Sequence, residues 1–316
     1  MTFKYIGKVI FALLTSGVFL LAIKATNPEL NRLPASFSLF ALKGWYNNPV
    51  TDNGIVIVEP SFEDTTFLSD LILLLGRAQT VGVDFVLTNT QLTQLAQSAN
   101  NSSGSLVIQY SLFLDHPKDI IFLDSLTSIT PNYTAGYVDL EPSMGIMLRS
   151  NNRAHFVSKV TGLEPAHSGQ VFINIRNDLD DYEMISLDTA SSQMLSMLDD
   201  KVVLYGDVLY GDDFFMTPKG KLPGVVLLAN AIQNMRDEDF ITRNYWADAI
   251  FVFFLILVSL SGSPKQVTVF FIVAILISAA VLWSINVILH LEWILTCSLV
   301  CVVVGRILFK SKQATA

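Results

Sequence analysis

Gly54-Ile55-Val56-Ile57-Val58 is an uninterrupted apolar run rich in β-branched residues. Such a run reads as a strand buried on both faces. The residues that follow extend the pattern. Asp64–Arg77 predicts a helix with Phe67, Leu68, Leu71, Leu74 and Leu75 on one face, and Val81–Leu87 a second strand. Thr90–Ala99 predicts a second helix, Asn100–Ser105 a polar turn and Leu106–Leu112 a third strand. Alternating strands and helices imply parallel pairing through crossover connections. From Pro131 to Ile175 the apolar runs are short and broken by Gly, Pro, Asn and Ser, which predicts antiparallel strands and loops. Leu187–Leu198 predicts a helix and Lys201–Gly206 another buried strand. Pro223–Arg236 predicts a helix with proline in its first turn and Val225, Leu228, Ala229 and Ile232 as its packing face. The fold class is α/β, a mostly parallel sheet with an antiparallel insertion.

Four apolar segments flank this domain, at Tyr5–Ile23, Ala247–Gly262, Val267–Leu289 and Trp293–Phe309. About 20 mainly apolar residues suffice for a helix to cross the bilayer core, so the expectation is one transmembrane helix before the domain and three after it. A cleaved signal peptide is the competing reading for the first, with Ala22-Ile23-Lys24-Ala25 a poor cleavage site. Ser261–Lys265 and His290–Glu292 are short turns, so the last three segments form an up-down-up bundle. Lys4, Lys8, Lys265, Arg306, Lys310 and Lys312 gather on one side, and the His290–Glu292 turn carries neither Lys nor Arg. Basic residues mark the cytoplasmic side. Both termini are thus expected in the cytoplasm, in a multi-pass protein of the bacterial inner membrane. The expected organisation is a membrane helix over 1–23, an extracytoplasmic (periplasmic) domain over 24–245, a three-helix bundle over 246–310 and a short cytoplasmic tail over 311–316.

The net charge is −8, with the acids concentrated in the central domain. An acidic surface repels phosphate, which excludes nucleic acid as a partner. Cys297 and Cys301 are the only cysteines, both in the fourth apolar segment. The exported domain therefore folds without a disulfide framework, and about 220 residues is enough to build a core. No cofactor motif appears. His116, His155, His167 and His290 do not pair with Cys or Asp at ligand spacing, and no Ser/His/Asp elbow or phosphate-binding loop is present. An enzyme is not expected.

Taken in order, several blocks resemble the type-two CHASE domains, extracellular sensor modules of bacterial signalling proteins. These are Val81-Gly82-Val83-Asp84-Phe85; Gly136-Tyr137-Val138-Asp139 with Gly145 and Arg149; and Val171-Phe172-Ile173-Asn174-Ile175 with Ser186 and Leu187. The closing block is Lys201–Gly206, Asp213–Pro218, Leu222–Val225 and Ala229-Asn230-Ala231-Ile232. The arrangement of one helix before and three after is similar too. The resemblance implies a sensory or regulatory role. Members usually continue into a cyclase, kinase or phosphatase, whereas only Ser311–Ala316 follows Lys310 here. The expectation is a separate membrane or cytoplasmic effector. The alternative is a scaffold subunit contacting a cell-envelope complex protein, and a homo-oligomer is compatible with either. The family's aromatic-proline-arginine motif is replaced by Pro60-Ser61-Phe62-Glu63-Asp64.

Parallel sheets bind ligands at the carboxyl ends of their strands. The loops there bring together Glu59, Asp84, Asp207 and Asp213. Two readings stay open: a pocket for a small polar ligand or cation, or the simpler arrangement in which Asp84 caps a loop through buried hydrogen bonds and the other acids are solvated. Asp84, placed inside an apolar strand, is expected to be buried and partnered. Asp178, Asp180, Asp181 and Glu183 lack the glycine of a calcium loop and predict a solvated turn before a strand. Cys297, Cys301 and Gly305 fall four apart on the fourth helix, a spacing of small residues that permits close helix approach, within the bundle or to another chain.

Overall fold

The computed structural model describes residues 3–25, 49–50, 54–60, 67–84, 89–100, 102–111, 132–138, 140, 145–147, 149–150, 153–164, 170–208, 214–217, 219–243 and 245–261, with scattered positions from 266 to 303. The chain divides into two compact units, Met1–Lys43 with Ile241–Ala316, and Gly44–Phe240.

The first unit contains α1 (Phe3–Ala25). The second contains β1 (Ile55–Glu59), α2 (Phe67–Leu75), β2 (Thr80–Val83), α3 (Asn89–Asn100), β3 (Ser105–Ser111) and β4 (Tyr133–Val138). It continues through β5 (Gly145–Met147), β6 (Arg149–Ser150), β7 (Arg153–Ala154), α4 (Phe156–Thr161), β8 (Gln170–Phe172) and β9 (Glu183–Ser186). The remainder is α5 (Ser192–Ser196), β10 (Val202–Tyr205), β11 (Phe214–Thr217), β12 (Gly220–Pro223) and α6 (Gly224–Asp237). The chain then returns to the first unit with β13 (Thr242–Arg243), α7 (Tyr245–Ser261) and β14 (Val287–Ile288).

Six strands form one sheet in the order β4-β3-β2-β10-β1-β9, every neighbour pair parallel. Ile57, Leu204, Gly82 and Val107 stand in one register row, and Val58, Tyr205, Val83 and Ile108 in the next. Both rows are buried, which is why these strands read as continuous apolar runs instead of alternating ones. On one face, Leu71, Leu74 and Leu75 of α2 and Leu92 and Leu95 of α3 close over Val56, Val58, Val81, Val83, Leu106 and Ile108. On the other, α4 lies so close that a Cβ on Gly136 would stand 2.4 Å from the Cα of Phe156, leaving glycine the one residue that fits.

Three expectations change. The middle segment does hold antiparallel pairs, β5–β8 and β6–β7, but β4 extends the parallel sheet, held by six register pairs to β3. Of the predicted helix at Leu187–Leu198, only Ser192–Ser196 is helical, because Ser191 caps it by accepting from the Met194 amide and so starts the helix late. The packing face of α6 is no stripe: Gly224 to Met235 is buried throughout. The acidic stretch at Asp178 is the expected turn before a strand. Asp178 accepts from the Asp180 amide at 3.0 Å, and Asp181 accepts from the Asp178 amide at 3.0 Å.

In the first unit, α1 pairs with α7, with Ala12, Val252, Leu255 and Ile256 buried together and Lys8 Nζ donating to the Leu260 carbonyl at 2.6 Å. Val287–Ile288, within the third expected span, forms a short parallel pair with Thr242–Arg243. Among the described residues, no helix is long and apolar enough to cross a membrane.

Candidate functional site

The strands β2, β10, β1 and β9 lie side by side and run the same way, so their carboxyl ends make one row. Each end carries an acid. Glu59 is the last residue of β1, and Asp84 follows β2 directly. Asp207 lies two residues past β10, and Asp188 two past β9. The ladder runs on slightly beyond the strands: the Gly206 amide donates to the Val58 carbonyl at 3.1 Å and the Asp84 amide to the Tyr205 carbonyl at 2.9 Å. Gly206 is where these pieces converge. A Cβ there would meet Val225 Cγ2 at 2.8 Å and Asp84 Cβ at 3.3 Å, so only glycine lets the start of α6 and the loop after β2 close on the end of β10.

Asp84 is half-buried and stands outside the strand, not within it. The strand stops at Val83, and the carboxylate thereby reaches the wetter end of the sheet. Glu59 and Asp207 are half-buried, and Asp188 is exposed. The Glu59 carboxyl is pushed above its ordinary range, first by loss of water and then by the negative charges of Asp207 and Asp188. Its Oε1 is buried and has no hydrogen-bond partner among the described residues. Three of the four acids read from the sequence, Glu59, Asp84 and Asp207, thus lie at this edge. Asp213 lies outside the described residues, as do Cys297, Cys301 and Gly305.

Three residues join the site that sequence reasoning missed. Asp188 is one. The others are Tyr205 and Asp70, whose side chains meet beneath the row of acids in a long hydrogen bond of 3.4 Å from the Tyr205 hydroxyl to Asp70 Oδ2. The Tyr205 ring is fully buried and packs against Phe67, with centroids 5.5 Å apart. Burial, and then the Asp70 carboxylate, push its hydroxyl well above the usual tyrosine range. The signal for Asp70 was its position three residues after Phe67 on the packing face of α2. That for Tyr205 was a polar tip at the last position of an otherwise aliphatic strand.

The edge is an electronegative surface that attracts cations and hydrogen-bond donors and repels anions. Among the described residues, no three His, Cys, Asp or Glu side chains are grouped to hold a metal ion. His155, buried away from this edge, is an interior cap: its Nδ1 accepts from the Val157 amide at 3.1 Å at the start of α4.

No curated protein and no solved structure matches the chain. Residues 65–263 match the CHASE2 domain, from just before α2 to just beyond α7. That stretch holds five of the six strands of the main sheet, the antiparallel pairs and the acids of three of the four strand ends. With more than half of its length inside the match, the chain belongs to the CHASE2 family of extracellular sensor domains.

Proposed function

We propose that this chain is a membrane-bound sensory or regulatory protein. Its α/β domain stands outside the cytoplasm, binds a ligand or an exported protein at the carboxyl ends of its parallel strands, and passes the outcome through the flanking apolar helices to a partner protein. The observation that carries the membrane reading is the exterior of the helical unit. On α1, Ile10 is 51% exposed and Leu14 and Val18 are each 66% exposed; on α7, Trp246 is 62% and Ile250 55% exposed. Large apolar side chains displayed in this number are a liability in water and cost nothing against lipid. The Lys and Arg asymmetry orients the helices with both termini inside. The acidic edge then faces the periplasm, where it favours a cationic or neutral polar ligand over an anion.

The test is topological and biochemical. Reporter fusions within residues 100–103 should report export, and fusions after Ala316 should report the cytoplasm. The opposite pattern in either one overturns the reading. Co-purification in mild detergent should recover a signalling enzyme. Recovery of envelope-assembly proteins alone would replace the sensor by a scaffold subunit.

A further inference from the structure

The segment Ile173–Asn177 belongs to no strand, yet its main chain is held as firmly as one. Asn234, on α6, accepts from the Asn174 amide at 2.6 Å and donates to the Asn174 carbonyl at 3.1 Å. One turn earlier, Asn230 accepts from the amides of Arg176 and Asn177, both at 3.0 Å, and donates to the Asn177 carbonyl at 3.0 Å. Each side-chain amide thus stands in for a neighbouring strand. The segment in turn grips both ends of its domain. Asn177 accepts from the Val50 amide at 2.8 Å and donates to the Val50 carbonyl at 3.2 Å, near the domain's beginning. At the domain's end, Asn174 Nδ2 donates to Asp239 Oδ2 at 2.6 Å, and Arg176 Nη1 lies 3.2 Å from Asp237 and 3.4 Å from Asp239.

The two layers of this hub differ in kind. Asn174, Asn177, Asn230 and Asn234 are each at most 2% exposed. The bonds of Asn230 and Asn234 to the 173–177 main chain are buried and costly to break, whereas the bond from Asn174 Nδ2 reaches the partly exposed Asp239. Arg176, Asp237 and Asp239 keep 22–37% of their side-chain surface, and ion pairs so exposed are individually weak. They hold a turn in which Glu238, a non-glycine residue, takes a left-handed φ of 54°. Six residues after Asp239, the chain enters α7 at Tyr245. A firm buried base thus carries a partly exposed clasp and a left-handed turn.

We propose that the clasp of Arg176 and Asn174 on Asp239 is the latch that couples the domain to α7: closed, it fixes where the chain leaves the domain, and its opening frees the start of α7 to change its pairing with α1. The proposal rests on the sensor reading and assigns that sensor its exit relay.

The test uses the full-length chain in membranes, with Cys297→Ser and Cys301→Ser as background and Ala12→Cys with Ile256→Cys as reporters in the buried α1–α7 cluster. Asp239→Ala and Arg176→Ala should each change the rate of disulfide cross-linking by about fivefold or more, the lower end of usual coupling between sites. Arg77→Ala, which breaks a more exposed ion pair to Asp199 elsewhere in the domain, should leave the rate unchanged. Amide exchange in β1 and β10 should stay as slow as in the unsubstituted protein. An unchanged rate with the domain folded overturns the latch. So does an equal change in Arg77→Ala. Loss of protection in β1 and β10 also overturns it, since the contacts would then serve folding alone. None of these outcomes depends on which side of the bilayer the domain occupies, so the latch and the sensor reading can fail separately.

Discussion

His155 and Glu59 are perturbed in opposite senses, and each makes a prediction of its own sign. His155 is wholly buried, its ring edge-on to Tyr137 with centroids 5.1 Å apart, and burial pushes its pKa down to about 3 from 6.5. The unfolded chain takes up this proton first, so stability is full above pH 6.5 and falls as pH drops toward about 3. His155→Asn keeps an oxygen able to cap α4 but cannot titrate. Its melting temperature should therefore depend less on pH across that window than that of the unsubstituted protein, measured by circular dichroism. Glu59 is raised, so the folded protein takes up its proton first. Its penalty is absent below the ordinary glutamate range and grows as pH rises through the folded value. Glu59→Gln should melt higher than the unsubstituted protein at neutral pH, and the difference should shrink on acidification. A gap that widens in acid would contradict the crowded carboxylates at that strand end.

Elements in this domain are joined by two devices, close backbone approach and side-chain amides. Where β4 meets α4, a methyl group on Gly136 would strike main-chain atoms, Phe156 Cα at 2.4 Å and Phe156 N at 2.7 Å, which cannot swing aside. Gly136→Ala should destabilise the domain by about 1–3 kcal/mol or more, as overpacking does, seen as a lower urea midpoint with an unchanged slope. Where α6 meets the 173–177 segment, Asn234→Ala strands the amide and carbonyl of Asn174. The cost is about 1–3 kcal/mol for each buried group left unsatisfied, checked by the same titration. Asn174 and Asn230 sit in two sequence blocks far apart along the chain, and the structure places both in one hydrogen-bonded hub.

At the scale of the whole chain, the apolar exterior of α1 and α7 decides how the protein meets its surroundings. Leu14 is 66% exposed on α1. If lipid covers it, Leu14→Arg places a charge at bilayer depth, at a cost of about 2.5–3.5 kcal/mol near the centre of a span. The fraction of protein resisting carbonate extraction should fall. If water covers it, the same substitution improves solubility and leaves extraction unchanged. The domain, with its own core on both faces of the sheet, should keep its fold in either case.

The strands β1, β2, β3 and β10, the helices α2, α3 and α6, and three of the acids at the strand ends, Glu59, Asp84 and Asp207, were legible in the sequence. Runs such as Ile55–Val58 and Val202–Tyr205 carry the mark of burial on both faces, and the period of Leu71, Leu74 and Leu75 marks a packed helix. Those signals are local: each depends on a few consecutive side chains and on which of them must leave water. What only the tertiary structure decided are the pairings between residues far apart in the chain. Tyr133–Val138 resembles any edge strand until its register with Ser105–Ser111 is known. Asp70 becomes part of the acidic edge only because Tyr205 lies against α2. Asn230 and Asn234 become clamps only once the 173–177 main chain, which belongs to no strand, is laid beside them. A strand or a helix face is written in neighbouring residues, whereas the partner of a buried polar group is set by whichever distant segment the fold brings within hydrogen-bond reach.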